Sequence, residues 1–366
     1  MAEMMGIIDD TVKESFLEKL TFHRSIASVP FGGNYRFIDF ILSSMTNSDI
    51  KNIGVLLQNK DRSLIDHLGS GRNWNLNRKK DGLFLLSNNY ARQNHFKKKR
   101  LNYLYNNLDY IKKSSQEFVA FADSRIIASF NFKEVLLYHQ SRKADITLIC
   151  SRNSSICNKN DNIYPVTDEN GRVVNLLVRP GNTCFTHCFI LKRRLLVKII
   201  NALIKEEITD VYYNVIKNKL GKYKVYAYYE DKYITMIKSV QDYYQSNMDL
   251  LKQNVRKELF TQNKRVYTNI DNIPPTKYIS GNKVKNSLIA NGCIIEGKVE
   301  NSILFNNVKI HKNAYVKNSI IMKNSEVKSN AVIEKVILDK NVIITPGKKL
   351  LCKINKPMLV KKKEVI

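Results

Sequence analysis

Three basic side chains bracket a double glycine near the start of the chain: His23 and Arg24 precede Gly32-Gly33, and Arg36 follows it. Glycine permits a sharp turn there without a Cβ penalty. The forked donors of arginine grip phosphate oxygens in pairs, so this constellation suits a phosphate-bearing anion. A competing role for Arg36 is an i,i+3 pair with Asp39 on the helix expected next. A second constellation, Cys184-Phe185-Thr186-His187-Cys188, invites a zinc reading. A structural zinc site takes four ligands, and no second pair of suitable spacing occurs. The six cysteines, at 150, 157, 184, 188, 293 and 352, therefore read as reduced, structural thiols.

These residues need a scaffold, and the chain is long enough to supply one. At 366 residues, 43% hydrophobic and 25% charged, it reads as globular, with room for two domains. The N-terminal MAEMMGIIDD lacks the basic, apolar character of a signal peptide. No run approaches the ~20 apolar residues that span a bilayer, so a cytoplasmic protein without a membrane partner is expected. The net charge of +27 raises nucleic-acid binding. Lysine is scattered along the whole chain, however, with tight clusters only in HFKKKR (95–100) and KKK (361–363). That pattern suits solvated faces, and an acidic small molecule or partner subunit is favoured over nucleic acid.

Residues 1–245 alternate apolar runs with helical periodicity. Strands are expected at 53–57, 118–122, 146–150, 184–191 and 225–229, and helices at 37–45, 101–111 and 132–139. The alternation predicts a Rossmann-like α/β domain with a mostly parallel sheet. Asp168-Glu169-Asn170-Gly171 signals a hairpin turn. A helical stretch at 243–251 leads into a polar linker, 246–280. Beyond it, from 281 to 366, a signature repeats: Val284-x-Asn286-Ser287-Leu288, Val299-x-Asn301-Ser302-Ile303, Val316-x-Asn318-Ser319-Ile320, and more weakly Ile333-x-Lys335-Val336-Ile337. Steps of 15, 17 and 17 residues suit the coils of a parallel β-helix rather than a meander of hairpins.

Two long blocks carry a family resemblance. SVPFGGNYRFIDFILSSMTNSDIKNIGVLLQ (28–58) resembles the PFGGxYRxIDFxLSN segment of ADP-glucose pyrophosphorylases (glucose-1-phosphate adenylyltransferases). HLGSGRNWNLNRKKDGLFLL (67–86) resembles that family's GSGxxWDLDRKxGG segment. The repeats, with NSLIANGCIIEGKVENSILF, resemble its closing left-handed β-helix. The likeness thus covers nearly the whole chain. Acyltransferases also own such coils, but need a catalytic histidine, for which His311 would be the candidate.

The resemblance implies adenylyl transfer, which needs a backbone cradle for a triphosphate and a divalent metal held by carboxylates. The family's GGxGxRLxxLT cradle faces MGIIDDTVKESFLEKLT (5–21), where Gly6 is the only glycine and Asp9, Asp10, Glu14 and Glu18 would repel phosphates. The lysine of KPAVPFGG becomes Ile26. In the segment matching GTADAIYQNxDxI, glycine becomes Lys99 and threonine Arg100. The aspartate of SGDHIY falls on Arg125, or on Ser124 after a one-residue slip, with Asp123 displaced by ~7 Å as a conceivable substitute. The second metal aspartate, anchored by Asn247-Met248-Asp249-Leu250-Leu251, becomes Met236. The sugar-phosphate lysine becomes Arg179, which keeps its charge.

These losses point to the GlgD-type, non-catalytic branch of the family. That branch implies a regulatory or structural subunit in glycogen biosynthesis, with no catalytic residues, metal or cofactor of its own. Its expected partner is a catalytic glucose-1-phosphate adenylyltransferase subunit, in a heterotetramer, with His23, Arg24, Arg36 and Arg179 as candidates for an anionic sugar-phosphate effector. The alternative is an active sugar-1-phosphate nucleotidylyltransferase with a rearranged metal site.

Overall fold

A computed structural model describes the chain except for residues 1–2, 13–14, 58–60, 88–99, 153–156, 158–161, 179–180, 182, 206–219, 261–264, 271 and 353–355, with residues 100 and 205 described by backbone alone. It divides into two compact units. The first comprises Met1–Lys13, Ile38–Met236 and Gln262–Tyr267; the second comprises Glu14–Phe37, Ile237–Thr261 and Thr268–Ile366.

The strands run, in chain order, β1 (Met4–Asp10), β2 (Pro30–Phe31), β3 (Tyr35–Arg36), β4 (Asn52–Leu57), β5 (Gly82–Ser87), β6 (Phe118–Asp123), β7 (Ile126–Ala128), β8 (Ile146–Ser151), β9 (Tyr164–Thr167), β10 (Val173–Leu177), β11 (Cys184–Lys192), β12 (Val225–Glu230) and β13 (Ile234–Met236). Seven form the main sheet of the first unit, in the order β12-β8-β11-β6-β1-β4-β5. Every pairing in it is parallel except the two made by β11. β1, β4, β6 and β8 are buried along their whole length, which is why they read in sequence as unbroken apolar runs rather than alternations. Met5, Ile7, Val119, Phe121 and Leu148 join helix residues such as Leu196 and Ile200 in one core.

Three local features explain the sequence motifs. Gly6 lies in β1, where an added Cβ would meet Met45 Sδ at 2.6 Å, so close helix–strand packing requires it. Asp39 Oδ1 lies 2.6 Å from His67 Nε2, and the His67 ring packs edge-on to buried Trp74. The IDF and HLGSGRNW motifs are thereby one packing unit. The expected helix at 101–111 is broken into Arg100–Asn106 and Leu108–Lys113, because Asn107 turns its amide onto the Tyr103 carbonyl at 2.8 Å and competes with the helix ladder.

In the second unit, strands β14 (Lys277–Tyr278) to β28 (Met358–Val360) form three five-stranded parallel sheets, each strand paired with the one three further along. This is a left-handed β-helix. The repeated Asn-Ser has two jobs. Asn286, Asn301 and Asn318 turn the corner with φ of 42°, 45° and 47°, a region asparagine enters more readily than most residues. Each following serine then bridges coils: Ser302 N–H donates to Ser287 Oγ, Ser319 N–H to Ser302 Oγ, and Val336 N–H to Ser319 Oγ, at 3.1 to 3.2 Å. The signature weakens at Lys335-Val336, beyond which that ladder has no further serine to extend it. Inside, Ile295, Val299, Leu304, Ile310, Val316, Ile321 and Ile333 stack in a continuous apolar core.

The second unit also holds the Gly32-Gly33 turn, with φ of +62° and +89°, between β2 and β3. Asn247 of the NMDLL motif accepts the Gly32 N–H at 3.0 Å, and Tyr243 of the helix Val240–Asp249 donates its hydroxyl to the Pro30 carbonyl at 2.9 Å.

Candidate functional site

In the main sheet β1 has β4 and β5 on one side and β6 on the other, so strand order reverses there. Open α/β sheets bind ligands beyond the carboxyl ends of the strands at such a point. Three buried carboxylates gather at this edge: Asp9 and Asp10 end β1, and Asp123, opposite Asp9, ends β6. Each is engaged. Asp9 Oδ1 accepts from Thr11 N at 2.9 Å and Thr11 Oγ1 at 2.6 Å. Asp10 Oδ1 accepts from Ser124 Oγ at 2.9 Å. Asp123 Oδ1 accepts from Arg125 N at 3.0 Å and Arg125 Nε at 2.9 Å, while its Oδ2 accepts from Nη2 at 2.6 Å. The Arg125 guanidinium thus folds back over both carboxylate oxygens, and its side chain is 4% exposed. His187, on a bulge of β11 with φ +61°, brings Nδ1 to 3.4 Å from Arg125 Nη2 and 3.7 Å from Asp123 Oδ2.

Magnesium needs a near-octahedral set of hard oxygens and retains several waters. Here the face of Asp123 is taken by a cation. Met236, fully buried in β13, pairs opposite Ile126, the residue after Arg125. The two positions that the family resemblance expects to be carboxylates, more than a hundred residues apart in sequence, are a guanidinium and a thioether, brought near one another along the chain by the pairing of Met236 with Ile126. Neither a guanidinium nor a thioether ligates a hard cation. Among the described residues no group of three or more His, Cys, Asp or Glu is arranged to hold a metal. These side chains do not fit a two-carboxylate magnesium site, and Asp123, the candidate substitute, is the carboxylate that Arg125 grips.

The structure revises the expected cradle region. Asp9 and Asp10 belong to a strand, not to a loop, because the apolar run from Met4 to Ile8 continues its pairing with β4 and β6 through them. Phe16 follows in an exposed turn, and Glu14 lies outside the described residues. Cys184 and Cys188 flank the His187 bulge, with burial pushing the Cys188 thiol up to about 12. The neighbour of Cys184 is Cys157, Sγ to Sγ 2.8 Å, a pairing that nothing in their sequence spacing announces.

The basic candidates of the second unit separate into different roles. Ile26 is buried in a 3₁₀ turn, Ile26–Ser28. His23 is exposed and packs edge-on against Phe22, ring centroids 4.8 Å apart. Arg24 makes a bidentate bridge to Asp339, at 2.8 and 2.9 Å, with both side chains 3% exposed. Arg36 lies in β3, one residue before the helix Phe37–Asn47 that carries Asp39. Lys340, which the sequence reading missed, completes the group. Its own burial, then Arg36 and Arg24, push its ammonium down to about 7; Asp339 opposes this and Lys362 adds to it. Lys99 and Arg179 lie outside the described residues.

Two family matches cover most of the chain. The nucleotidyl transferase family matches residues 16–253, and the GlmU-like C-terminal hexapeptide family matches 274–352. A glycogen biosynthesis protein GlgD from Geobacillus stearothermophilus is 36% identical over 344 residues, covering 86% of this chain and 83% of the relative. The chain belongs to the glucose-1-phosphate adenylyltransferase family. A GlgD protein from Bacillus subtilis (strain 168) is 30% identical, over 85% of this chain and 82% of the relative. A glucose-1-phosphate adenylyltransferase from Fusobacterium nucleatum is 32% identical, over 82% and 80%. For a member of this adenylyltransferase family, Arg125 and Met236 are the departures that bear most directly on metal chemistry. No helix among the described residues is long and apolar enough to cross a membrane.

Proposed function

We propose that this chain is a catalytically degenerate subunit of a cytoplasmic glucose-1-phosphate adenylyltransferase, serving glycogen biosynthesis by modulating an active partner subunit. The observation that carries the reading is the Arg125 guanidinium closed over both oxygens of Asp123. A fixed positive charge already neutralises the carboxylate that a catalytic metal would use, and displacing it would strand a buried arginine. The relatives named GlgD support the pathway. Leu351 and Met358, exposed in the last coils at 46% and 39%, offer apolar surface for an assembly such as a heterotetramer.

The regulatory half of the proposal rests on Arg36 and Lys340. Burial, then the positive charges of Arg36 and Arg24, disfavour the Lys340 ammonium, and a phosphate-type anion bound beside it would relieve that cost. Arg24, saturated by Asp339, acts as a strut behind them.

The test is activity with and without a catalytic subunit, together with co-elution of the two chains. A changed rate or activator response in the mixture supports the reading. Two chains that elute separately, with the catalytic subunit unaltered, overturn it.

A further inference from the structure

Within the first unit, two thiols far apart in sequence meet in the interior. Cys157 Sγ lies 2.8 Å from Cys184 Sγ and 3.2 Å from the Ser151 carbonyl. Both residues are essentially buried. Cys184 opens β11, directly opposite Ser151 of β8, so its backbone is fixed by a sheet. The Tyr164 hydroxyl donates to the Cys157 carbonyl. Two sulfurs held this close need only a small side-chain rotation to reach the ~2.05 Å of an S–S bond. Simple packing of small apolar residues would not require a thiol at both positions.

We propose that Cys157 and Cys184 form a peroxide-sensitive dithiol that closes reversibly to a disulfide, tying the segment ahead of β9 to the head of β11. The inference is independent of the regulatory-subunit reading. Chemically, the Cys157 thiolate attacks one oxygen of a peroxide. The O–O bond breaks, and the departing hydroxide or alkoxide takes a proton to leave water or an alcohol. The Cys184 sulfur then attacks the resulting sulfenic sulfur. The S–O bond breaks, and its oxygen leaves as water with the Cys184 proton. With hydrogen peroxide, two thiols and one oxidant give one disulfide and two waters, with two electrons passing from sulfur to oxygen.

The surroundings select this pair. Hydrogen bonding between the two sulfurs holds the Cys157 thiol below its ordinary value, against the effect of burial, and the Cys184 backbone adds to it. Burial pushes Cys150, Cys188 and Cys293 upward instead, and so disfavours their thiolates. Burial of the pair favours a peroxide, which is small, over bulky disulfide reagents. The consequence is local. The cross-link would sit three residues from His187, whose ring faces Asp123 and Arg125, and would close a loop containing the β9–β10 hairpin.

The test uses the full chain, reduced, desalted and titrated with hydrogen peroxide. Remaining thiols are blocked with N-ethylmaleimide, and peptides are mapped without reduction. The expected result is loss of two thiols per chain, a peptide pair joined through Cys157 and Cys184, and full reversal by dithiothreitol. The variant C184S should instead arrest at a Cys157 sulfenic acid, trapped by dimedone. Oxidation confined to half-exposed Cys352, or Cys157 proceeding to sulfinic acid in the unaltered chain without a link to Cys184, would overturn the proposal. The unaltered chain decides the matter even if the variant folds poorly.

Discussion

Removing the charge of Lys340 should stabilise the protein, most strongly at and below neutral pH. The ammonium is pushed from the ordinary lysine value of 10.5 to about 7 by its burial and by Arg36 and Arg24. A group whose folded value lies below its unfolded one binds fewer protons folded than unfolded between the two values. Stability therefore rises as pH climbs from about 7 toward 10.5, and the full penalty is present below 7. At ~1.4 kcal/mol per pH unit, the ceiling is about 5 kcal/mol; screening at a half-buried position reduces this to about 2 kcal/mol. Lys340→Met keeps the stem and removes the charge. Urea unfolding of both proteins at pH 6, 7, 8 and 9 should show the variant ahead at pH 6 and the gap narrowing upward. Comparing the two removes the general effect of the +27 charge, which both nearly share. Inorganic phosphate should stabilise the unaltered protein more than the variant. A gap that stays constant with pH, or a variant less stable at pH 6, would refute the crowding argument.

Three further outcomes follow from the second unit. Asp339→Ala leaves buried Arg24 unpaired and should cost about 3–5 kcal/mol in urea unfolding, with Arg24→Ala added to it recovering part of the loss. Arg36→Ala should leave assembly and basal rate of the mixed enzyme unchanged but blunt its activator response; an intact response would remove Arg36 from the effector site. Lys328 and Lys309 hold the Glu326 carboxyl down to about 2. The stability it contributes is present above the unfolded value near 4.5 and lost as pH falls through about 2, so Glu326→Gln should flatten acid denaturation in that window.

Much of this fold is legible in the sequence where structure is local or fully buried. The runs at 118–122 and 146–150 read as strands because β6 and β8 are apolar on both faces. The Asn-Ser repeat reads as coils because each corner restates the same left-handed asparagine and serine bridge. β1 was obscured by its own ending: Asp9-Asp10 looks like a loop until Thr11 and Ser124 supply their hydrogen bonds. The candidate site was half legible. Arg125 and Met236 were singled out by motif position, but the grip of Arg125 on Asp123 and the pairing of Met236 with Ile126 depend on the fold. The influence of Arg36 and Arg24 on Lys340, and the approach of Cys157 to Cys184, are made by the fold between residues with no shared local pattern.

The central claim is that Arg125 and Met236 leave no working metal site. The most direct measurement is ADP-glucose formation by the purified chain alone, supplied with ATP, glucose 1-phosphate and Mg²⁺. The account predicts no turnover at any magnesium concentration. Metal-dependent turnover by the chain alone, abolished by Asp123→Asn, would contradict it and establish Asp123 as a metal ligand that Arg125 releases.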